Sequence, residues 1–189
     1  MLKTLRPASL SLILIGSLAG AAALSIAVAA PAPAPRPADA EVTLVPLKWD
    51  AIVARIAANK AAKFTVVDAW ATWCVPCKEN FPHLVEMHKK YGDKGLAVVS
   101  LSLDDVERPK KLAEAKAFLV EQGAKFPNYV LDEPTDVAFE KLNIGAIPAV
   151  FLYGPDGKEI RRFTLDDPNN QFTYADVEKA IQSALAGGK

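Results

Sequence analysis

The chain has 189 residues, of which 51% are hydrophobic, so it can bury one sizeable core. Lysine plus arginine and aspartate plus glutamate each number 22, and this balance gives no support for a nucleic-acid-binding protein. The two cysteines lie in one short motif, which excludes a framework of structural disulfides. We therefore expect one folded domain behind an N-terminal extension.

Residues 1–30 have the pattern of a targeting segment. Lys3 and Arg6 form a positive start, and a long charge-free run of apolar and small residues follows. The sequence Ala27-Val28-Ala29 matches a signal-peptidase site, whereas the length of the run also suits an uncleaved anchor, since about twenty apolar residues span a bilayer. Both alternatives predict an exported protein, periplasmic or otherwise extracytoplasmic, and the second adds a tether to the inner membrane.

Residues 31–41 are rich in proline and alanine and predict an extended linker. The folded domain is then expected over residues 42–189. Its first elements are a short strand at residues 42–45 and a helix that ends near Asn59. The helix is predicted from apolar residues at helical spacing, namely Trp49, Ile52, Val53 and Ile56.

The segment from Phe64 to Leu84 combines a buried strand, a short turn and a helix that opens on a Cys-x-x-Cys pair. Cys74 falls near the first helical turn, where free backbone N–H groups and the helix dipole stabilise a thiolate and lower the pKa of cysteine. Cys77 lies one turn later, close enough to form a small disulfide ring with Cys74. This arrangement favours a dithiol that cycles between reduced and oxidised forms.

The remaining elements alternate between strands and helices. Hydrophobic periodicity, turn residues and a Thr-x-x-Asp capping box predict them. They are a strand at 96–103, a helix from Pro109 to Gly123, an extended piece at 126–133, a helix at 136–142, a hairpin over 149–163 and a last helix after Thr173.

The motif WATWCVPCK, with Asp68 before it and Pro82 after it, resembles thioredoxin-fold thiol-disulfide oxidoreductases, and IPAVFLYGPDGKEIRRF resembles the second half of that fold. The resemblance implies an α/β, three-layer fold with a central mixed sheet flanked by helices. The extra material before Ile147-Pro148 is similar to the insertion of the exported, often membrane-tethered branch that includes cytochrome c maturation proteins. That branch commonly has an acid where this chain has Asn80.

The resemblance also implies roles for the central residues. Cys74 would be the nucleophile, and Cys77 would resolve the mixed disulfide through a Cys74–Cys77 redox disulfide. Asp68, an acid inside an apolar strand, would be a buried proton acceptor for Cys77. An exposed strand-end acid without a role is the alternative for Asp68.

The resemblance further implies a substrate site around the cysteines. Ile147-Pro148 would be a cis-proline loop lying against the Cys-x-x-Cys pair. Trp73 would lie on the active-site surface, with Val75 and Pro76 between the cysteines, while Trp70 would pack beneath. The Val-Pro pair resembles that of reducing members more than that of strong oxidants.

The protein is therefore expected to be an extracytoplasmic thiol-disulfide oxidoreductase that favours the reduction of disulfides in exported proteins. Its partners would be exported proteins with disulfides and a membrane redox protein, and we expect a monomer without cofactor. His83 and His88 offer no second pair of ligands for structural zinc, so we expect solvated helix histidines and no metal.

Two alternatives have the same fold. A thiol peroxidase needs a Pro-x-x-x-Thr-x-x-Cys sequence, whereas here Thr72 stands two residues before Cys74 and that proline is missing. A non-catalytic binding module is the other alternative, and the two intact cysteines argue against it.

Overall fold

The computed structural model describes residues 41–169 and 171–187. The predicted targeting segment and, except for Glu41, the predicted linker lie outside the described residues. Within the described residues, no helix combines the length and the apolar character needed to cross a membrane.

The described chain alternates between strands and helices, as the sequence predicts. The elements are β1 (Val45–Leu47), α1 (Trp49–Ala58), β2 (Phe64–Trp70), α2 (Val75–Tyr91), a 3₁₀ turn (Gly92–Lys94), β3 (Leu96–Ser102), α3 (Pro109–Gln122), β4 (Asn128–Leu131), α4 (Thr135–Leu142), β5 (Ala149–Tyr153), β6 (Glu159–Phe163) and α5 (Tyr174–Leu185).

The strands form one mixed sheet in the order β1-β4-β3-β2-β5-β6. The first four strands of that order run parallel to one another, and β5 and β6 are antiparallel to their neighbours. The central strands β2 and β3 are buried along almost their whole length. Strands buried in this continuous way are typical of a parallel sheet that is covered on both faces by helices.

An aromatic cluster joins the sheet to α2 and α3. The ring of Trp70, at the end of β2, is completely buried, as predicted. Its centroid lies 5.3 Å from that of Phe81 on α2 and 5.0 Å from that of Phe118 on α3. Aromatic pairs at these separations contribute about 0.5–1.5 kcal/mol each beyond area burial. The cluster therefore holds the helix that carries the cysteines against the strand that precedes them.

The first strand lies later than the sequence predicts. Residues 42–45 were expected to form it, but the strand spans Val45–Leu47 because these residues pair in parallel register with Tyr129–Leu131 of β4. Val42 is buried without being part of the sheet. Its apolar character therefore reflects core packing and not strand pairing.

The antiparallel ladder between β2 and β5 determines where the functional site forms. Ala69 near the end of β2 pairs with Ala149, the first residue of β5. The loop that leaves β2 and the loop that enters β5 therefore emerge at the same edge of the sheet.

Candidate functional site

The two cysteines lie where β2 passes into α2. Cys74 is the N-cap residue of α2, with extended backbone angles, and Cys77 belongs to the first turn. The two form a disulfide across a Cα separation of 5.3 Å. The backbone N–H of Cys77 also points at the sulfur of Cys74, at 3.2 Å. A negative charge on Cys74 would thus meet a free N–H group and the positive end of a 17-residue helix.

The surface around the disulfide is apolar. Trp73 is 53% exposed and Val75 58% exposed, although both are hydrophobic, while Cys74 is only 5% exposed. Pro76 is exposed beside them. The predicted positions of these residues beside the cysteines agree with the structure.

The loop before β5 lies against this surface. The Ile147-Pro148 peptide bond is cis, and both residues are buried. The carbonyl oxygen of Ile147 lies 3.7 Å from the sulfur of Cys74. The structure therefore brings the loop and the cysteine pair together, as the resemblance implied.

Asp68 is buried inside β2, with 1% of its surface exposed. The alternative of an exposed strand-end acid is therefore wrong. Its Oδ2 atom accepts a hydrogen bond of 2.7 Å from the hydroxyl of Tyr174, whereas its Oδ1 atom has no partner among the described residues. Burial raises the pKa of Asp68 from its ordinary value of 3.8 to about 7, and the Tyr174 hydrogen bond opposes this rise. A carboxyl group with such a pKa can gain and lose a proton near neutral pH.

Tyr174 was not singled out from the sequence. It is the first residue of α5, separated from Asp68 by 106 positions in the chain. The Thr173–Asp176 capping box, which the sequence does predict, fixes the turn that carries Tyr174. No local pattern indicates that its hydroxyl reaches the central strand.

A second buried acid, Asp104, holds the loop that precedes Cys74. Its carboxylate accepts hydrogen bonds from the backbone N–H of Thr72 at 3.0 Å and from the Thr72 hydroxyl at 2.6 Å. It also accepts a hydrogen bond of 2.8 Å from the hydroxyl of Ser102. Asp104 was not singled out from the sequence as a functional residue. An acid directly after a strand, at the edge where the motif loop emerges, is the signal that could have identified it.

The two histidines of α2 differ in environment. His83 is exposed and lies 3.7 Å from Glu86, as expected of a solvated residue. His88 is half-buried, its ring packs edge-on against Phe126, and burial lowers its pKa below the ordinary value of 6.5. The expectation of a solvated side chain is therefore wrong for His88, because Phe126, in the segment between α3 and β4, packs against its ring. No metal-binding group of three or more His, Cys, Asp or Glu occurs in 41–169 or 171–187.

Asn80 stands where the related branch commonly has an acid. Its side-chain amide donates a hydrogen bond of 2.9 Å to the carbonyl oxygen of Pro76 within the first turns of α2. Asn80 thus pairs with a carbonyl of its own helix.

Curated relatives of this chain include thiol-disulfide oxidoreductases named ResA. The protein from Bacillus anthracis is 28% identical over 109 residues, which cover 58% of this chain and 59% of the relative. The protein from Bacillus subtilis (strain 168) is 29% identical over 102 residues, which cover 54% of this chain and 53% of the relative. The chain thus spans little more than half the length of these relatives.

Solved structures show the same fold. A Chlorobium tepidum protein assigned as the thiol:disulfide interchange protein DsbE superposes with a TM-score of 0.52 at 29% identity, over 67% of this chain and 83% of that one. A thioredoxin-like protein in its oxidised form gives a TM-score of 0.52 at 25% identity, over 68% and 81%. The predicted thioredoxin-like fold is confirmed.

The match at family level covers most of the described part of the chain. The AhpC/TSA family matches residues 41–162, which contain the cysteine pair, Asp68, Asp104 and the cis-proline loop. This region is well over half of the 189 residues. The chain belongs to the AhpC/TSA family.

Proposed function

We propose that this protein is an extracytoplasmic thiol-disulfide oxidoreductase whose Cys74–Cys77 dithiol reduces disulfides in exported proteins. The observation that carries the proposal is the cysteine pair at the start of α2, with the carbonyl of Ile147 at 3.7 Å from Cys74. Relatives named thiol-disulfide oxidoreductases support the same activity.

The exchange begins with the reduced protein. The Cys74 thiolate attacks one sulfur of a client disulfide, a Cys74–client bond forms, and the other client sulfur leaves as a thiolate. Cys77, once deprotonated, attacks the sulfur of Cys74 and releases the second client thiolate. The client is reduced by two electrons, and the protein is left with the Cys74–Cys77 disulfide.

Asp68 serves as the base for the second step. Cys77 is buried, so its proton needs a local acceptor. A carboxylate with a pKa of about 7 accepts that proton readily near neutral pH, because donor and acceptor are then close in proton affinity.

The client binds as an extended segment beside Cys74. The exposed apolar side chains of Trp73 and Val75 provide contact area, and the backbone of Ile147 next to the cis proline provides pairing groups. Main-chain pairing tolerates varied side chains, which suits a protein with several clients. Pro76 completes the same surface.

The proposed direction of disulfide exchange and the proposed cellular location rest on sequence features. The Val75-Pro76 pair favours a reductase, and the apolar residues 1–30 favour export, with or without a retained membrane tether. A membrane redox protein would supply electrons to the monomeric domain. The resemblance to cytochrome c maturation proteins makes the disulfide form of an apocytochrome c a client to test first.

Insulin reduction tests the activity. The wild type, with dithiothreitol as electron source, should precipitate reduced insulin faster than dithiothreitol alone, whereas Cys74→Ser should lose this acceleration. Cys77→Ser should retain the first attack and accumulate a mixed disulfide that can be isolated with its client. No acceleration by the wild type would refute the oxidoreductase proposal.

A peroxide assay separates the main alternative. A thiol peroxidase would consume hydrogen peroxide at a rate that depends on Cys74. We expect no such consumption, because the proline and threonine spacing that a peroxidase requires before its cysteine is missing. Peroxide turnover without insulin reduction would favour the peroxidase. The absence of both activities would favour a binding module.

A further inference from the structure

Tyr174 contacts the reacting residues through one hydrogen bond. Its hydroxyl donates to Oδ2 of Asp68 at 2.7 Å, and both side chains are buried. We propose that Tyr174 is a positioning residue for disulfide exchange, which occupies Oδ2 of Asp68 and so leaves Oδ1 as the atom that takes the proton of Cys77. This inference rests on the proposed function.

The two oxygens of Asp68 are not equivalent. Oδ2 has the tyrosine hydroxyl as its partner, and Oδ1 is buried without a partner among the described residues. A buried acceptor atom without a partner is costly to keep, and a functional site is one place where such an atom persists. A proton added at Oδ1 leaves the bond between Tyr174 and Oδ2 in place. Asp68 can therefore change charge without any rearrangement around it.

The neighbouring strands add no charge to this site. In register with Asp68 lie Ser100 on β3 and Val150 on β5, and neither side chain titrates. From α5, Tyr174 is the titratable group in contact with Asp68. Under the proposed function, the Cys77 thiol of the reduced protein is the titratable group on α2 that exchanges a proton with Asp68. Burial and the tyrosine hydrogen bond are the two influences on the pKa of Asp68 in the oxidised protein, and the hydrogen bond favours the charged form.

The position of Tyr174 is itself restrained. The capping box of Thr173 and Asp176 fixes the first turn of α5. The tyrosine ring lies between Phe172, at 6.0 Å, and His83 of α2, at 5.9 Å between ring centroids. Burial raises the pKa of Tyr174 well above its ordinary value of 10, so the hydroxyl stays protonated and remains a donor. His83 and its neighbour Glu86 are themselves exposed.

The step in which Tyr174 assists is proton transfer before resolution. The S–H bond of Cys77 breaks, its proton moves to Oδ1 of Asp68, and the thiolate attacks the sulfur of Cys74. The bond between Cys74 and the client breaks, and the client sulfur leaves as a thiolate that takes up a proton from the solvent. Asp68 then returns its proton to the solvent, while Tyr174 donates to Oδ2 throughout.

The first test is a carboxyl titration of the oxidised protein. ¹³C NMR of labelled aspartate should show Asp68 titrating near pH 7, with a midpoint higher by about one to two pH units in Tyr174→Phe, because a hydrogen bond to a charged group contributes about 1.5–3 kcal/mol. Tyr153→Phe is the matched control. Tyr153 is also a buried tyrosine, but it lies on β5 three residues beyond the position opposite Asp68, so its loss should leave the midpoint unchanged.

The second test measures resolution of the mixed disulfide against pH. In Tyr174→Phe the rate should rise at a higher pH than in the wild type, and at pH 7 it should be about five- to fifty-fold lower, the loss of ionised carboxylate that such a shift produces. In an Asp68→Asn background, the same change should leave the pH profile unaltered. A purely structural role of Tyr174 would lower stability without moving either midpoint.

Several results would overturn the inference. An unchanged or lowered Asp68 midpoint in Tyr174→Phe would do so, as would an unchanged pH profile of resolution. If that variant does not fold, the ¹³Cζ resonance of Tyr174 in the wild type should follow the Asp68 midpoint, and its failure to do so is equally decisive. The titrations need no enzymatic turnover, so a wild type without exchange activity would refute the proposed function and leave the hydrogen-bond coupling to be judged separately.

Discussion

The sulfur of Cys74 lies 3.7 Å from the carbonyl oxygen of Ile147. The two residues are 73 positions apart in the chain, and they lie in two loops that emerge at the same edge of the sheet. One belongs to the reacting pair, and the other precedes the cis proline. Any protein segment that approaches the sulfur of Cys74 therefore also meets the backbone of Ile147.

The two cysteines should differ in acidity. In a Cys77→Ser variant, the Cys74 thiol should have a pKa well below the ordinary value of about 8.5, because it caps a helix N-terminus. In Cys74→Ser, the buried Cys77 thiol should titrate at higher pH. The rate of alkylation by iodoacetamide against pH measures both values. A Cys74 pKa equal to or above that of Cys77 would contradict its assignment as nucleophile.

Asp68→Asn should make the oxidised protein more stable at neutral and alkaline pH. The folded state raises the pKa of Asp68 from 3.8 to about 7, so the wild type loses stability as pH rises across this range and regains it as pH falls. Asparagine does not ionise, so the gain should be small near pH 4 and reach about 2–4 kcal/mol above pH 7. Urea denaturation at several pH values measures it, and a pH-independent difference would contradict the burial argument.

Loss of the Thr72 hydroxyl should loosen the loop before Cys74. Thr72→Val removes a hydrogen bond of 2.6 Å to the carboxylate of Asp104 and should cost about 1.5–3 kcal/mol of unfolding free energy. Thr72→Ser retains the hydroxyl and is the matched control. Insulin reduction should fall in Thr72→Val and be close to wild type in the control. Equal stability of the two variants would show that the Asp104 contact is not needed.

Protonation of His88 should lower the stability of the folded state as the pH falls. Because burial lowers the pKa of His88 in the folded state, the unfolded chain binds its proton first as pH falls through about 6.5, and stability decreases there. His88→Gln should weaken this pH dependence between pH 7 and pH 5. His83→Gln, which changes an exposed histidine of the same helix, should leave it intact. Identical dependence of stability on pH in the two variants would contradict the difference in burial between His88 and His83.

Much of this site could be predicted because its residues are close in the chain. The apolar run around Asp68 indicates a buried strand, and the Cys-x-x-Cys pair follows directly at a helix start, so strand, turn and helix predict one another. The hydrogen bond from Tyr174 could not be predicted, because it depends on how α5 packs against the sheet. Val42 illustrates the same limit, since an apolar pattern indicates burial without saying whether a residue pairs with a strand.

The pairing between β2 and β5 sets the distance between the loop that carries Cys74 and the loop that carries Pro148. Ala69 opposes Ala149, and Ile147 and Pro148 directly precede Ala149 in the chain. A shift of β5 by one residue would translate the proline loop by about 3.3 Å and turn every side chain of the strand to the opposite face. Phe151 and Val150, which are both buried, would then exchange faces, and their packing in the core would be lost. The hydrophobic core thus fixes the separation of two loops that are distant in the chain.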